Sequence, residues 1–243
     1  VTIGNSVTSI GDGAFSACSK LTSVTLPNSV ISIGNAVFQS CTSLTSVTLG
    51  NSVTNIGLRM FRQCTSLTSV TIGNSVASIG VQAFYLCSSL TTFTIPGSVT
   101  SIGNQAFYSC SGLTAVYFKG NAPTLGSSVF DAIPPNQLKV YYLPETTGWP
   151  TPPTTPPLFG GRPMVLWNPQ VQTSDGSFGV GTNGFGFTII GSSNLVIVVE
   201  ACTNLGSPIW SPVGTNTLTV GSAYFSDPQW TNYPARLYRL RSP

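Results

Sequence analysis

Five cysteines recur at intervals of 23 residues, at Cys18, Cys41, Cys64, Cys87 and Cys110, each inside one phrase that reads LTSVTLPNSVISIGNAVFQSCTSL from Leu21 to Leu44. A fixed period in this range means one supersecondary unit stacked on copies of itself, because so short a unit cannot bury a core alone. Stepping by 23 from Phe15 lands on Phe38, Phe61, Phe84, Phe107 and Phe130. Ile10 leads likewise to Ile33, Ile56, Ile79 and Ile102, each followed by glycine, and Leu21 leads to Leu44, Leu67, Leu90 and Leu113. The recurring positions are apolar, and Ser, Thr and Asn fill the spaces between them.

Within a repeat, Leu-x-x-Val-x-Leu puts Val24 and Leu26 on one face of a short strand and turns Ser23 and Thr25 outward, since strand side chains alternate. Pro27-Asn28-Ser29 turns the chain, Val30 and Ile33 return to the core, and Gly34 is expected to supply backbone freedom before the next segment. Ala36, Phe38 and Cys41 read as one helical or 3₁₀ turn, with Phe38 and Cys41 on a common face.

The phrase SVTSIG-x-x-AF-x-x-C-x-x-LTSVTL, present from Ser6 to Leu26 and repeated four more times, resembles the BspA-like leucine-rich repeats of bacterial and protist surfaces. The resemblance covers Val1 to about Phe118. It implies a curved solenoid and a secreted or cell-surface role in adhesion to host or matrix proteins or to other cells, and it brings no catalytic residue.

Disulfides between neighbouring repeats need Cα atoms within about 7 Å, whereas equivalent residues in a layer of packed helices lie about 8–10 Å apart. The five are therefore expected to be buried free thiols acting as small hydrophobes. They should resist thiol reagents and differ in behaviour from Cys202. Zinc is disfavoured, because the chain has no histidine and no Cys-x-x-Cys spacing.

Composition changes after the repeats. Pro27 and Pro96 are the only prolines before residue 115, and all four tryptophans lie beyond it. Residues 1–149 read as the solenoid, with a degenerate cap from about 115 in which Ile133 replaces the expected cysteine and Leu138 to Leu143 forms a last strand. Residues 150–157, PTPPTTPP, read as a semi-rigid spacer. Residues 158–243 read as a small all-β sandwich of immunoglobulin or fibronectin III type, with strands at Met164–Trp167, Phe185–Ile190, Leu195–Ala201, Ile209–Val213, Ala223–Phe225 and Leu237–Leu240. The segment from Val199 to Arg241 also resembles C-terminal modules of secreted repeat proteins from environmental bacteria. The chain opens at Val1 with neither methionine nor a signal sequence, so it is expected to be a fragment or processed form of a longer secreted protein.

Catalytic constellations find little support. Gly179-Val-Gly181-Thr-Asn-Gly184 satisfies G-x-G-x-x-G, but a strand follows it where a nucleotide site needs a helix, and Asn183-Gly184 is a hairpin signal. Without histidine there is no Ser-His-Asp or Cys-His arrangement. Asp175, Glu200 and Asp227 read as solvated surface acids, with no spacing that brings two together and no ligand-dense loop for calcium. The net charge of +3 is too small and scattered for nucleic acid, and Arg236, Arg239 and Arg241 suit a charged edge strand. No apolar run approaches a membrane span. The expectation is a protein that is not an enzyme and has no cofactor, catalytic residue or metal site.

The candidate binding face is the exposed side of the strands. Ser23 and Thr25, Ser46 and Thr48, Ser69 and Thr71, then Thr92 and Thr94 should form two hydroxyl columns with rows about 4.8 Å apart, one of them ending at Tyr117. Thr22, Thr45, Thr68, Thr91 and Thr114 widen the polar band. Three readings stay open: recognition of an extracellular protein or glycan, a structural spacer of a larger envelope protein whose hydroxyls only solvate it, and an ice-binding ladder.

Overall fold

Alternation within each repeat produces two short strands per 23 residues, and stacking turns these into two ladders. They run through a computed structural model that describes residues 2–150, 157–182, 184–192 and 195–241. The chain divides into two units, Val1–Val165 and Leu166–Pro243.

In chain order the first unit holds β1 (Ser9–Ile10), β2 (Ser23–Thr25), β3 (Ser32–Ile33), β4 (Ser46–Thr48), β5 (Asn55–Ile56), β6 (Ser69–Thr71) and β7 (Ser78–Ile79). There follow β8 (Thr92–Ile95), β9 (Ser101–Ile102), β10 (Ala115–Phe118), β11 (Thr124–Leu125), β12 (Lys139–Tyr142), β13 (Leu158–Phe159) and β14 (Arg162–Leu166). β2, β4 and β6 pair in parallel, with Ser23, Ser46 and Ser69 in one row across the sheet and Thr25, Thr48 and Thr71 in another. β8, β10 and β12 form the next parallel set, and β14 and β13 extend it. Among the described residues no ladder joins β6 to the adjacent β8, and near this break Val70 and Ile72 are only partly buried. The second ladder consists of β1 with β3, then β5, β7, β9 and β11.

The segment around each phenylalanine is not the helical turn expected from spacing. Local bonds do close tight turns, with Gln39 N–H donating to Ala36 at 3.1 Å and Cys41 N–H to Phe38 at 3.3 Å. Every second amide, however, donates along the solenoid to the next repeat: Ala36 to Leu58 at 2.8 Å, Phe38 to Met60 at 2.9 Å and Ser40 to Arg62 at 2.7 Å. Turning alternate amides the same way requires left-handed residues, and Ala36 and Ser40 take φ of 53° and 58°, as do their counterparts Arg59, Gln63, Gln82 and Leu86 at 54° to 63°. That conformation costs an L-residue roughly 1–2 kcal/mol, and the inter-repeat bonds offset it. This layer therefore stacks at close to strand spacing rather than helix spacing, with Phe38 and Phe61 centroids 5.6 Å apart and Phe84 and Phe107 5.2 Å apart.

Gly34 acts through close approach and not through conformational freedom. A Cβ on Gly34 would lie 2.5 Å from Asp12 N, and one on Gly57 would lie 2.9 Å from the Gly34 carbonyl oxygen. Polar residues between the apolar columns also tie the repeats together: Asp12 Oδ1 accepts from Asn35 N, Asn35 Oδ1 from Leu58 N and Asn104 Oδ1 from Ser127 N.

The solenoid continues past the point where a second domain was expected, since residues 158–165 belong to the first unit. The physical reason is the open end of the stack. Phe159 joins Phe118 and Trp149 in an edge-to-face cluster with centroids 5.0–5.5 Å apart. Arg162 is buried and its Nη2 donates to the carbonyls of Phe130 at 2.5 Å and Ile133 at 3.0 Å, while its Nη1 donates to Pro134 at 3.2 Å. Between β13 and β14, Gly160 has φ +58° and a Cβ there would lie 2.8 Å from the Phe130 ring. The spacer assigned to 150–157 falls largely on 151–156, outside the described residues.

The second unit holds β15 (Gln170–Gln172), β16 (Gly179–Gly181), β17 (Gly184–Ile190), β18 (Leu195–Cys202), β19 (Ser211–Leu218), β20 (Ser222–Asp227) and β21 (Leu237–Arg241). β17 pairs with β15, β16 and β20, and β18 lies between β19 and β21, all antiparallel. The glycine motif forms the β16–β17 hairpin, with Gly181 opposite Gly184. Two strand assignments change: Met164 and Val165 lie in β14 with the solenoid, and Ile209 is 80% exposed ahead of β19.

Candidate binding face of the solenoid

The even-numbered strands carry the hydroxyl columns because each places one apolar residue inward between two outward ones. Val24 and Val47 are buried, while Ser23, Thr25, Thr48, Ser69 and Thr71 are exposed and Ser46 is half-buried. Among the described residues none of these hydroxyls, nor those of Thr92 and Thr94, is hydrogen-bonded within the protein. They stand in register and free for solvent or a ligand.

The column beside them is committed. Thr45 Oγ1 donates to the Thr22 carbonyl at 2.9 Å, Thr68 to Thr45 at 3.1 Å and Thr114 to Thr91 at 3.1 Å. These threonines hold repeat to repeat, so the available band is narrower than composition implies.

Exposure also fades along the stack. Thr92 and Thr94 are half-buried, and Tyr117, expected at the exposed end of a column, is 5% exposed with its ring stacked on Tyr141 at 4.8 Å. Burial raises the Tyr117 phenol above its ordinary range, and the neighbouring Tyr141 adds to that. The face is therefore open along β2, β4 and β6 and closes at β10. Beside the open part runs a shallow groove of about 430 Å³ lined by Thr25, Thr48 and Thr71 together with turn residues including Asn28, Gly50 and Asn51. A Cβ on Gly50 would lie 2.5 Å from the Pro27 carbonyl oxygen, which is why glycine follows the strand there. The groove was not anticipated from the sequence, although Asn three residues after each threonine, preceded by Pro27, Gly50 or Gly73, was its visible signal.

The cysteine column lies elsewhere in the repeat and faces inward. Cys41, Cys64, Cys87 and Cys110 are buried free thiols, but Cys18 is exposed because no earlier described repeat covers it. Burial pushes the thiols of Cys64 and Cys110 up to about 12, opposite to what a nucleophile needs. Cys202 is buried as well, its Sγ donating to the Asn204 carbonyl at 3.1 Å, so it does not stand apart from the column by exposure.

Glu200 and Asp227, expected on the surface, are each only 5% exposed. Burial raises the Glu200 carboxyl pKa, and hydrogen bonds from Arg241 and Arg239 outweigh that and hold it below its ordinary range. Asp227 accepts from the Tyr238 hydroxyl at 2.9 Å and faces Arg236 at 3.0 Å. Among the described residues no three His, Cys, Asp or Glu side chains gather as a metal site, and no helix is long and apolar enough to cross a membrane.

Comparison with known proteins agrees with this architecture. The family model for the BspA type leucine rich repeat region, with 6 copies, matches residues 1–114 and 32–145. A leucine-rich repeat protein from Bacteroides ovatus is 30% identical over 59% of this chain and 37% of its own, with a TM-score of 0.52. A leucine rich cell surface protein from Faecalibacterium prausnitzii is 35% identical over 50% of this chain and 32% of its own, with a TM-score of 0.49. The chain spans about a third of the length of these two proteins. No curated protein matches it. With more than half of its length matched, the chain belongs to the BspA-type leucine-rich repeat family.

Proposed function

We propose that this protein is a secreted or cell-surface interaction protein that binds an extracellular protein or glycan through the hydroxyl face of β2, β4 and β6. The observation that carries the reading is the pair of in-register columns, Ser23, Ser46, Ser69 and Thr25, Thr48, Thr71, whose hydroxyls have no partner among the described residues, with the threonine column bordering a groove. Repeated donors and acceptors at strand spacing suit an extended partner that presents hydrogen-bonding groups at a similar interval. The nearly uncharged face favours neutral polar chemistry over an acidic or basic partner. The proposal includes no catalysis. The second unit, with two antiparallel sheets, fits an immunoglobulin or fibronectin III-like sandwich.

Binding of the full chain to a panel of matrix proteins and glycans, compared with the double variant Thr48→Glu, Thr71→Glu, tests the reading. Both positions are exposed, so the variant should fold normally and lose binding. Binding that survives both charges removes the strand face as the site.

A structural spacer is the second reading, favoured by Thr45, Thr68 and Thr114, whose hydroxyls donate to a carbonyl one repeat earlier. A chain that folds normally and binds no member of the panel supports it. Ice binding has less support, because the open part of the ladder is limited to three strands.

A further inference from the structure

In a repeat chain the constant positions serve the stack, so a column whose side chains change from repeat to repeat is free for another use. One such column lies on the turn layer, directly after each core phenylalanine: Ser16, Gln39, Arg62, Tyr85, Tyr108 and Asp131. From Arg62 onward it runs cation, ring, ring, anion. The Arg62 guanidinium lies 5.2 Å from the centre of the Tyr85 ring, and Tyr85 stacks on Tyr108 at 5.1 Å. Both tyrosines are half-buried, with hydroxyls that have no partner among the described residues, and Asp131 is exposed.

No carboxylate neutralises Arg62, since Asp12 and Asp131 are the only acids among residues 1–131 and neither forms an ion pair with it. Of its guanidinium nitrogens, Nε is enclosed and Nη1 donates to Gln63 Oε1 at 3.1 Å, which leaves Nη2 open. Asp131 interacts with the buried Arg162 at longer range, and its carboxylate accepts no hydrogen bond among the described residues. Opposite charges therefore stand unpaired at the two ends of this row, with the rings between them. Reversed, the order is its own complement. A second copy packed antiparallel on this face, about a two-fold axis between the Tyr85 and Tyr108 rows, would set Arg62 against the second copy's Asp131 and Tyr85 against its Tyr108, as an isologous contact requires. Parallel packing would set Arg62 against Arg62, so charge selects the antiparallel form. The tyrosine hydroxyls, each both donor and acceptor, would meet across the axis. An acidic segment of a different protein would satisfy Arg62 but repel Asp131.

We infer that this face joins two copies of the chain as a weak antiparallel dimer. Sedimentation equilibrium of the full chain should show a reversible dimer with a dissociation constant of roughly 0.1 mM, as suits a narrow contact, and several-fold weaker at about 0.5 M salt. Arg62→Glu and Asp131→Arg should each weaken it at least about tenfold, because each sets like charges together at both ends. An equimolar mixture of these two single variants should dimerise as the parent does, since every end then pairs opposite charges, and the double variant should recover likewise. Should Arg62→Glu not fold, Asp131→Arg, at an exposed position, and the salt dependence of the parent still decide. The double variant Thr48→Glu, Thr71→Glu should dimerise normally, which separates this face from the strand face. A chain that stays monomeric up to about 1 mM, single reversals without effect, or a mixture no more dimeric than its components would each overturn the inference. If hexaglutamate binds a chain that stays monomeric and Arg62→Glu abolishes that binding, an acidic partner takes the face and the inference fails.

Discussion

Cys64 Sγ donates to the carbonyl oxygen of Phe38, 3.1 Å away and 26 residues earlier in the chain. The same bond joins Cys41 to Phe15, Cys87 to Phe61 and Cys110 to Phe84 at 3.0–3.2 Å. Each of these carbonyls also accepts the amide of the cysteine in its own repeat, as Phe38 does from Cys41 N at 3.3 Å. A thiol suits that corner because it is a small apolar body with one weak donor. The column works as a register pin between successive repeats. Cys41, Cys64, Cys87 and Cys110 are free thiols, each with its sulfur aimed at a backbone oxygen.

Thiol counting checks this arrangement directly. In native buffer a soluble disulfide reagent should label Cys18 quickly and leave the other cysteines protected. In denaturant all six should react. Rapid native labelling of Cys64 or Cys87 would mean that the stack opens there.

Alkaline pH should destabilise the fold beginning near pH 9. The unfolded thiols have an ordinary value of 9.0, whereas Cys64 and Cys110 are pushed up to about 12 and Cys41 and Cys87 are also raised, all chiefly by burial. Above pH 9 the unfolded chain therefore binds fewer protons than the folded one, and stability falls by about 1.4 kcal/mol per pH unit for each such thiol. Urea midpoints measured from pH 8 to 10.5 should show this slope developing above pH 9, and Cys64→Ala should reduce it.

Ala36 holds a φ of 53°, a conformation glycine adopts without strain. Ala36→Gly should raise stability by up to about 1 kcal/mol, the relief of the left-handed penalty less the entropy glycine adds to the unfolded chain. Ala36→Val should lower it, because a β-branched residue tolerates that region worst. Chemical denaturation of both variants tests the sign. An Ala36→Gly protein less stable than the parent would contradict this account of the turn layer.

Arg162 supplies donors to three carbonyls at the end of the stack. Burial lowers its pKa from the usual arginine range, and Asp131 opposes that shift. Arg162→Met should cost about 3 kcal/mol, since charge-assisted bonds are lost and buried acceptors are left without a donor. Lys119→Met, at an exposed charge, should change stability by no more than about 0.5 kcal/mol. Hydrogen exchange should show the loss concentrated at residues 130–140 in the Arg162 variant.

Most of the solenoid was legible in the sequence because every repeat presents the same problem and solves it with the same residues. Val24, Phe38 and Leu44 read as core and are core. The hydroxyl columns followed from alternation alone. The helical turn did not, because Phe38 and Cys41 three apart fit both a helix and the observed turn, and only the neighbouring repeat's carbonyls select between them. Tyr117 was misplaced for a related reason. Alternation sets which side of the strand it occupies, but what covers that side depends on Tyr141, which lies in a degenerate repeat.

The period of 23 by itself determined that the first half stacks, which residues share a column, and which columns are apolar. These are relations between equivalent positions, so a repeating sequence states them openly. Only the tertiary structure decided that Gly34 serves close approach, that the cysteines bond to backbone, and that residues 158–165 finish the solenoid. It also decided that Arg236 is buried beside Asp227 and the Tyr233 ring. In the first three cases the deciding contact comes from a segment distant in sequence, and spacing along the chain carries no record of it.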